Sequence, residues 1–309
     1  MTTPTNDVAP PADTEKSKLK QRITGPLLFL FILGDVLGAE IYALMGVLSK
    51  EVGGTLWAPL ALALVLALLT AGSYAELVTK YPKAGGAAIF ARRAFKSQII
   101  SFIVGLSMLA AGVTSAAGLA IAFAGQYLKT FLDVPTIPTA MVFLVLVAAL
   151  NARGISESFK SNLVMTVIEV SGLVIVIACV GLMLGGGGGG VSRVTQFPAE
   201  SSPGLAILGG AIIAYYSFVG FETSTNVAEE VRDPSKVYPR ALFGALLVAG
   251  VVYVLVGLAS AIALLAEKLS ASSGPLLAVV GASGVGVPQW GLSSYRCISV
   301  SGCGRTAGR

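Results

Sequence analysis

Two stretches of an otherwise apolar chain hold groups suited to gripping a small polar molecule. The first is Gly34-Asp35-Val36-Leu37-Gly38-Ala39-Glu40-Ile41, with two carboxyl groups and two glycines in eight residues. The second is Tyr215-Tyr216-Ser217-Phe218-Val219-Gly220-Phe221-Glu222-Thr223-Ser224-Thr225-Asn226, with aromatics, then a glycine, then a carboxyl and hydroxyls. A third carboxyl, Glu169, stands in the run MTVIEVSGLVIVIAC. A central charge in a membrane helix costs of order 2.5–3.5 kcal/mol on insertion scales, so such groups are there for a structural or chemical reason. The first stretch has two readings. Gly34 and Gly38 give a small-xxx-small packing face, or the helix is broken and bares N–H groups at a positive helix end, which suits a carboxylate. The second stretch also has two. A break would free carbonyls to accept from an ammonium group under an aromatic cover, or Tyr215, Tyr216, Phe218 and Phe221 simply pack.

The elements that must carry these groups are membrane helices. The chain has 309 residues, 55% hydrophobic and 12% charged, with mean hydropathy +0.82. Soluble domains carry about 25% charged residues. Apolar runs lie near 24–48, 56–79, 98–128, 136–152, 162–184, 204–226 and 240–265, and a bilayer core asks for about 20 helical residues each. Seven spans are expected. None alternates polar and apolar residues as a barrel strand would. Lys16, Lys18, Lys20, Arg22, Lys80, Lys83, Arg92, Arg93, Lys96, Arg153, Lys160, Arg232, Lys236 and Arg240 fall on one side, against Lys50, Lys129, Arg193 and Lys268 on the other. That bias predicts a cytoplasmic N-terminus. The two polar stretches then sit in spans one and six, with four plain spans between them, and paired interrupted helices are a mark of transporter sites.

Other classes are disfavoured. Histidine is absent, which excludes Ser-His-Asp and Cys-His catalysis and His-ligated haem. Cys179, Cys297 and Cys303 form no metal or redox motif. No enzyme activity, cofactor, metal or nucleic-acid partner is expected, because the basic residues that give pI ≈ 9.1 are scattered between apolar runs. Residues 1–22 read as a solvated, disordered cytoplasmic arm, 23–287 as the transmembrane helical domain, and 288–309, PQWGLSSYRCISVSGCGRTAGR, as an aberrant polar tail. The change of composition there suggests truncation or a shifted reading frame. Six glycines at 185–190 read as a flexible external linker.

Three motifs in order carry a resemblance. GDVLGAEIYALMG resembles the first helix of the amino acid–polyamine–organocation (APC) permeases, YAELVTKYPKAGGAAIFARRAF their segment between spans two and three, and FVGFETSTNVAEEVRDPSKVYPRAL their sixth helix and the loop beyond. The resemblance covers roughly residues 24–290. It implies an all-α integral membrane protein with the LeuT-like five-plus-five inverted repeat, here incomplete: the first repeat and the start of the second. It implies a substrate held by the backbone at Gly38, Ala39 and Glu40 against its carboxylate, with Ile41 also in the site, and by the carbonyls around Tyr216, Ser217 and Val219 against its amino group. Tyr216 or Phe218 would close over the ligand, with Phe221 beside them. The family pattern at 38–40 is usually Gly-Ala-Gly. Glu40 there would repel a ligand carboxylate unless protonated, and marks either a cationic ligand or a damaging substitution. Asp35, Glu169 and Glu222 are candidate proton carriers. Glu76, Arg92, Arg93, Glu229, Glu230, Arg232 and Asp233 are solvated charges or gate ion pairs. The expected function is secondary active transport of amino acids or amines across the cell membrane, by proton symport or exchange with alternating access. Its partners would be a small-molecule substrate, the lipid bilayer and protons. The alternative is a transport-inactive fragment that only folds, binds ligand or associates in the membrane.

Overall fold

The computed structural model describes residues 23–284 apart from 39, 84, 129–131, 133, 152–154, 199–201 and 273. The N-terminal arm, Ala39 and the 288–309 tail with Cys297 and Cys303 therefore lie outside the described residues.

Helices follow the apolar runs. Span one is split into α1 (Gly25–Val36) and α2 (Glu40–Val52), followed by α3 (Trp57–Lys80), α4 (Gly86–Phe95) and α5 (Gln98–Ala122). A π-helical turn, Phe123–Tyr127, closes α5, and α6 (Thr136–Asn151) and α7 (Ile155–Gly185) come next. Span six starts as α8 (Pro203–Tyr215) and continues as 3₁₀ segments Tyr216–Phe218 and Phe221–Glu230. The long α9 (Pro234–Ala263) and the short α10 (Ala266–Ala271) and α11 (Pro275–Ala282) complete the described chain. Prolines at the first turns of α1, α8 and α9 start these helices where a missing N–H costs nothing. Ser97 caps α5 by accepting from the Ile100 N–H. Among the described residues, pairing of strand type is limited to one parallel bridge between Ile23 and Val231.

All seven expected runs are helical, and among the described residues six stretches are long and apolar enough to cross a bilayer. The expected fourth span falls short, its apolar part being Thr136–Ala149. Pro135 precedes that run and Asn151 ends it, so it stops below the length of about 20 residues that a bilayer core requires. By contrast, the 24 residues of α3 rise about 36 Å, enough to cross. The six-glycine run ends α7 as a run of that composition should. It then docks rather than trailing: Gly187 and Gly189 take left-handed turns, and the Gly190 N–H donates to Ile262 O at 3.0 Å.

The core forms where α9 lies against α3 and α1, with α8 also packed on α3. Its cause is a four-residue rhythm of small side chains. On α3 the buried positions include Ala63, Ala67, Ala71 and Ala75, and on α9 Ala241, Ala245 and Ala249. Rows at that spacing let two helices approach closely, so that dispersion replaces a hydrophobic drive that lipid cannot supply. The approach is close enough that a Cβ on Gly250 would meet Leu64, and one on Gly257 would come within 2.8 Å of Leu60. Away from this core, α5 presents Phe102, Leu106, Leu109 and Val113 outward, an apolar flank suited to acyl chains.

Gly34 packs α1 onto α7, since a Cβ there would run into the Thr166 hydroxyl. That hydroxyl is held by Asn162 O at 2.8 Å, and the Asn162 side-chain amide donates to Phe31 O at 3.3 Å. Gly34→Ala is expected to lower the melting temperature of the purified protein, at a cost of about 1–3 kcal/mol from overpacking. A wild-type melting curve in detergent would show that the contact yields freely.

Candidate functional site

The first break arises at Leu37–Gly38. Leu37 N–H still donates to Leu33 O (2.8 Å), but the Gly38 N–H turns back to Val36 O (2.8 Å) and the helical ladder stops. Helix resumes at Glu40, which occupies the first turn of α2. The two readings of this stretch therefore divide between its glycines: Gly34 is a packing contact and Gly38 lies in a bend.

The second break centres on Gly220. Chain tightens from α8 into 3₁₀ turns, Val219 is extended, and Gly220 has φ +129°, a backbone state that L side chains rarely adopt. A Cβ on Gly220 would stand 2.5 Å from the Asp35 carbonyl oxygen, so the second break presses directly on the first.

Three further contacts hold the breaks together. The Thr223 hydroxyl donates to Asp35 Oδ2 and also lies 2.7 Å from Gly220 O. The Glu222 side chain folds back, its Oε2 accepting from the Gly220 N–H at 2.9 Å. From α9, the buried Tyr253 hydroxyl reaches Val36 O at 2.6 Å and Ser217 O at 3.2 Å, one carbonyl at each break. Aromatic edges brace the surround: Tyr253 on Phe218 at 5.3 Å and Tyr74 on Phe221 at 5.6 Å between centroids. Close by, the Ser224 and Tyr238 hydroxyls pair at 2.7 Å.

The expected site residues separate by exposure. Asp35 is 6% exposed, and Gly38, Ile41, Ser217, Phe218 and Phe221 are buried, while Glu40 and Glu222 are half-buried. Tyr216 and Val219 face outward, 48% and 42% exposed. Ser217 Oγ is buried without a hydrogen-bond partner among the described residues. Glu169 is buried on α7, and the Tyr42 hydroxyl of α2 lies 3.4 Å from its backbone carbonyl. Glu76 pairs with Lys80 of its own helix at 2.6 Å, an exposed pair of small worth, and Arg93 lies over the Tyr81 ring. Reasoning from sequence missed Thr223 as the partner of Asp35, and Tyr253 as the brace. The signal for Thr223 was its hydroxyl beside Glu222, whereas a lone tyrosine in an apolar run gave none for Tyr253.

No lysine or arginine occurs at 24–49 or 203–231, the segments that carry both breaks. Basic side chains appear further out. An open pocket of about 450 Å³ at the far end of α2 is lined by Lys50, Arg193, Gln196 and Glu267 among others.

Two broken helices meeting at their breaks is the geometry of a carrier site. Residues 25–304 match the amino acid permease family. The chain belongs to that family. It is 29% identical over 247 residues to the low-affinity putrescine importer PlaP of Escherichia coli K12, a match covering 78% of this chain and 54% of the relative. It is 31% identical over 259 residues to the vacuolar cationic amino acid transporter 4 of Arabidopsis thaliana, covering 77% and 42%. An uncharacterized transporter of Mycobacterium bovis is 28% identical over 253 residues, covering 82% and 55%. This permease-family chain thus spans about half the length of the curated relatives it matches. Membership, together with the six apolar helices, makes it an all-α, multi-pass membrane protein of a transporter family rather than an enzyme.

Proposed function

We propose that the chain carries the substrate-binding part of a secondary active transporter. It moves amino acids or related amines across the cell membrane by alternating access, driven by proton symport or by exchange, with its N-terminus in the cytoplasm. Residues 23–287 are the transmembrane unit, 1–22 a cytoplasmic arm. The observation that carries this reading is the junction of the two breaks at Asp35, Gly220 and Thr223. Bare backbone groups and half-buried carboxyls there offer a small polar molecule what lipid denies it. The relatives named for putrescine import and cationic amino acid transport support a substrate carrying an ammonium group.

Asp35 and Glu222 are the proton-linked groups of this reading, with Glu169 a third, buried carboxyl. The test is uptake of labelled putrescine or lysine into proteoliposomes under an imposed pH gradient. Asp35→Asn and Glu222→Gln are each expected to cut gradient-driven uptake about tenfold or more, as the loss of an intramembrane relay group does. Unchanged uptake in both variants removes the proton role, and counterflow without a gradient assigns exchange.

The alternative reading is a chain that folds and binds ligand in the membrane without transport. Equilibrium binding with no movement of label in either mode supports it.

A further inference from the structure

We propose that Glu40 makes the site selective for amines that lack a carboxylate, against amino acids. This rests on the ligand site proposed above at the two breaks.

The first N–H groups of a helix have no partners within it, and the aligned peptide dipoles make that end positive. Where a helix restarts beside a ligand site, the open end is the natural seat for a carboxylate. Here the restarting helix is α2, thirteen residues long, and Glu40 stands in its first turn. The restarting helix thus carries an acidic residue of its own at the end where a ligand's carboxylate would be placed. Asp35 and Glu222 bring two more carboxyl groups to the same junction. With no lysine or arginine at 24–49 or 203–231, the segments that form the breaks offer no side-chain cation to an incoming carboxylate.

A second observation points to the ligand itself. Ser217 is 1% exposed and its Oγ has no hydrogen-bond partner among the described residues. The Tyr253 hydroxyl spans from the Ser217 carbonyl to the Val36 carbonyl, which fixes Ser217 beside the first break. A buried hydroxyl without a partner is costly unless something comes to satisfy it. An ammonium group brings donors to that oxygen. Its positive charge suits the surrounding carboxyls, and an aliphatic stem suits the buried Phe218 and Phe221. A carboxylate on the same molecule would meet like charge in a setting where water screens it poorly. The ligand class is therefore a primary aliphatic amine or diamine.

Putrescine and ornithine differ by one carboxylate and make the cleanest pair of probes. Equilibrium binding of each radiolabelled compound is measured on the full chain in lipid nanodiscs. The wild-type chain is expected to bind putrescine about tenfold or more tightly than ornithine, the size of a discrimination built on like-charge repulsion. Glu40→Gly is expected to collapse that ratio. Glu40→Gln, which keeps the side chain's length and removes its charge, is expected to move it in the same direction and guards against misfolding of the glycine variant. Ornithine binding as tightly as putrescine, or a ratio unchanged in both variants, overturns the proposal while leaving the ligand site in place. Failure of the folded wild-type chain to bind either compound overturns the site at the breaks, and the selectivity with it.

Discussion

Gly220→Ala abolishes ligand binding and destabilises the protein by about 2–5 kcal/mol. Two costs add. The residue sits at φ +129°, where an L side chain is strained whatever space surrounds it. The new Cβ would also stand 2.5 Å from the Asp35 carbonyl oxygen, and that neighbour is backbone, which cannot swing aside. To relieve the clash the second break must slide off the first. The Thr223–Asp35 bond is lost with it, since Thr223 N–H is itself anchored to Gly220 O at 3.0 Å. Thermal unfolding in detergent alongside putrescine binding checks both halves. Native melting with native affinity would mean that the breaks do not depend on their closest contact.

Tyr253→Phe is the second large effect, and it is one of function more than of stability. The ring stays, and with it the edge contact to Phe218. Only the hydroxyl goes, and that hydroxyl is bonded to a carbonyl of each break. Val36 O keeps the Gly38 N–H, so the stability loss is about 1–2 kcal/mol, as for one buried hydrogen bond. Affinity is expected to fall about tenfold or more, because a binding geometry loosened by even an ångström loses most of its orientation. Tyr238→Phe is the matched control. It removes an equally buried hydroxyl whose partner is Ser224, not the junction of the breaks. Equal loss of affinity in both variants would reduce Tyr253 to a packing residue.

The part of this architecture that could be read from sequence is the part governed by local chemistry. Glycines and carboxyls inside apolar runs announce broken helices, because the membrane makes them too expensive to be incidental. Gly38 and Gly220 both lie at observed breaks. Helix positions followed from run length, since the bilayer sets that length. What stayed hidden depends on distant pairs. Asp35 and Thr223 lie 188 residues apart, and Tyr253 is 217 residues from Val36. No local pattern joins them. The 3₁₀ winding of Phe221–Glu230 was also hidden, because tightening a helix alters which carbonyl each N–H meets and not which residues are apolar.

One small feature at the edge of the bundle constrains its motion. Ile23 N–H donates to Glu230 O, and Arg232 N–H donates to Ile23 O, each at 3.0 Å. These two bonds stitch the lead-in to the first helix onto the exit of the sixth. At their other ends the same two half-helices are tied again through Asp35 and Thr223. Fastened at both extremities, α1 and the Phe221–Glu230 segment form a single lever. Either half tilts only with its companion, unless the stitch at Ile23 is unpicked first.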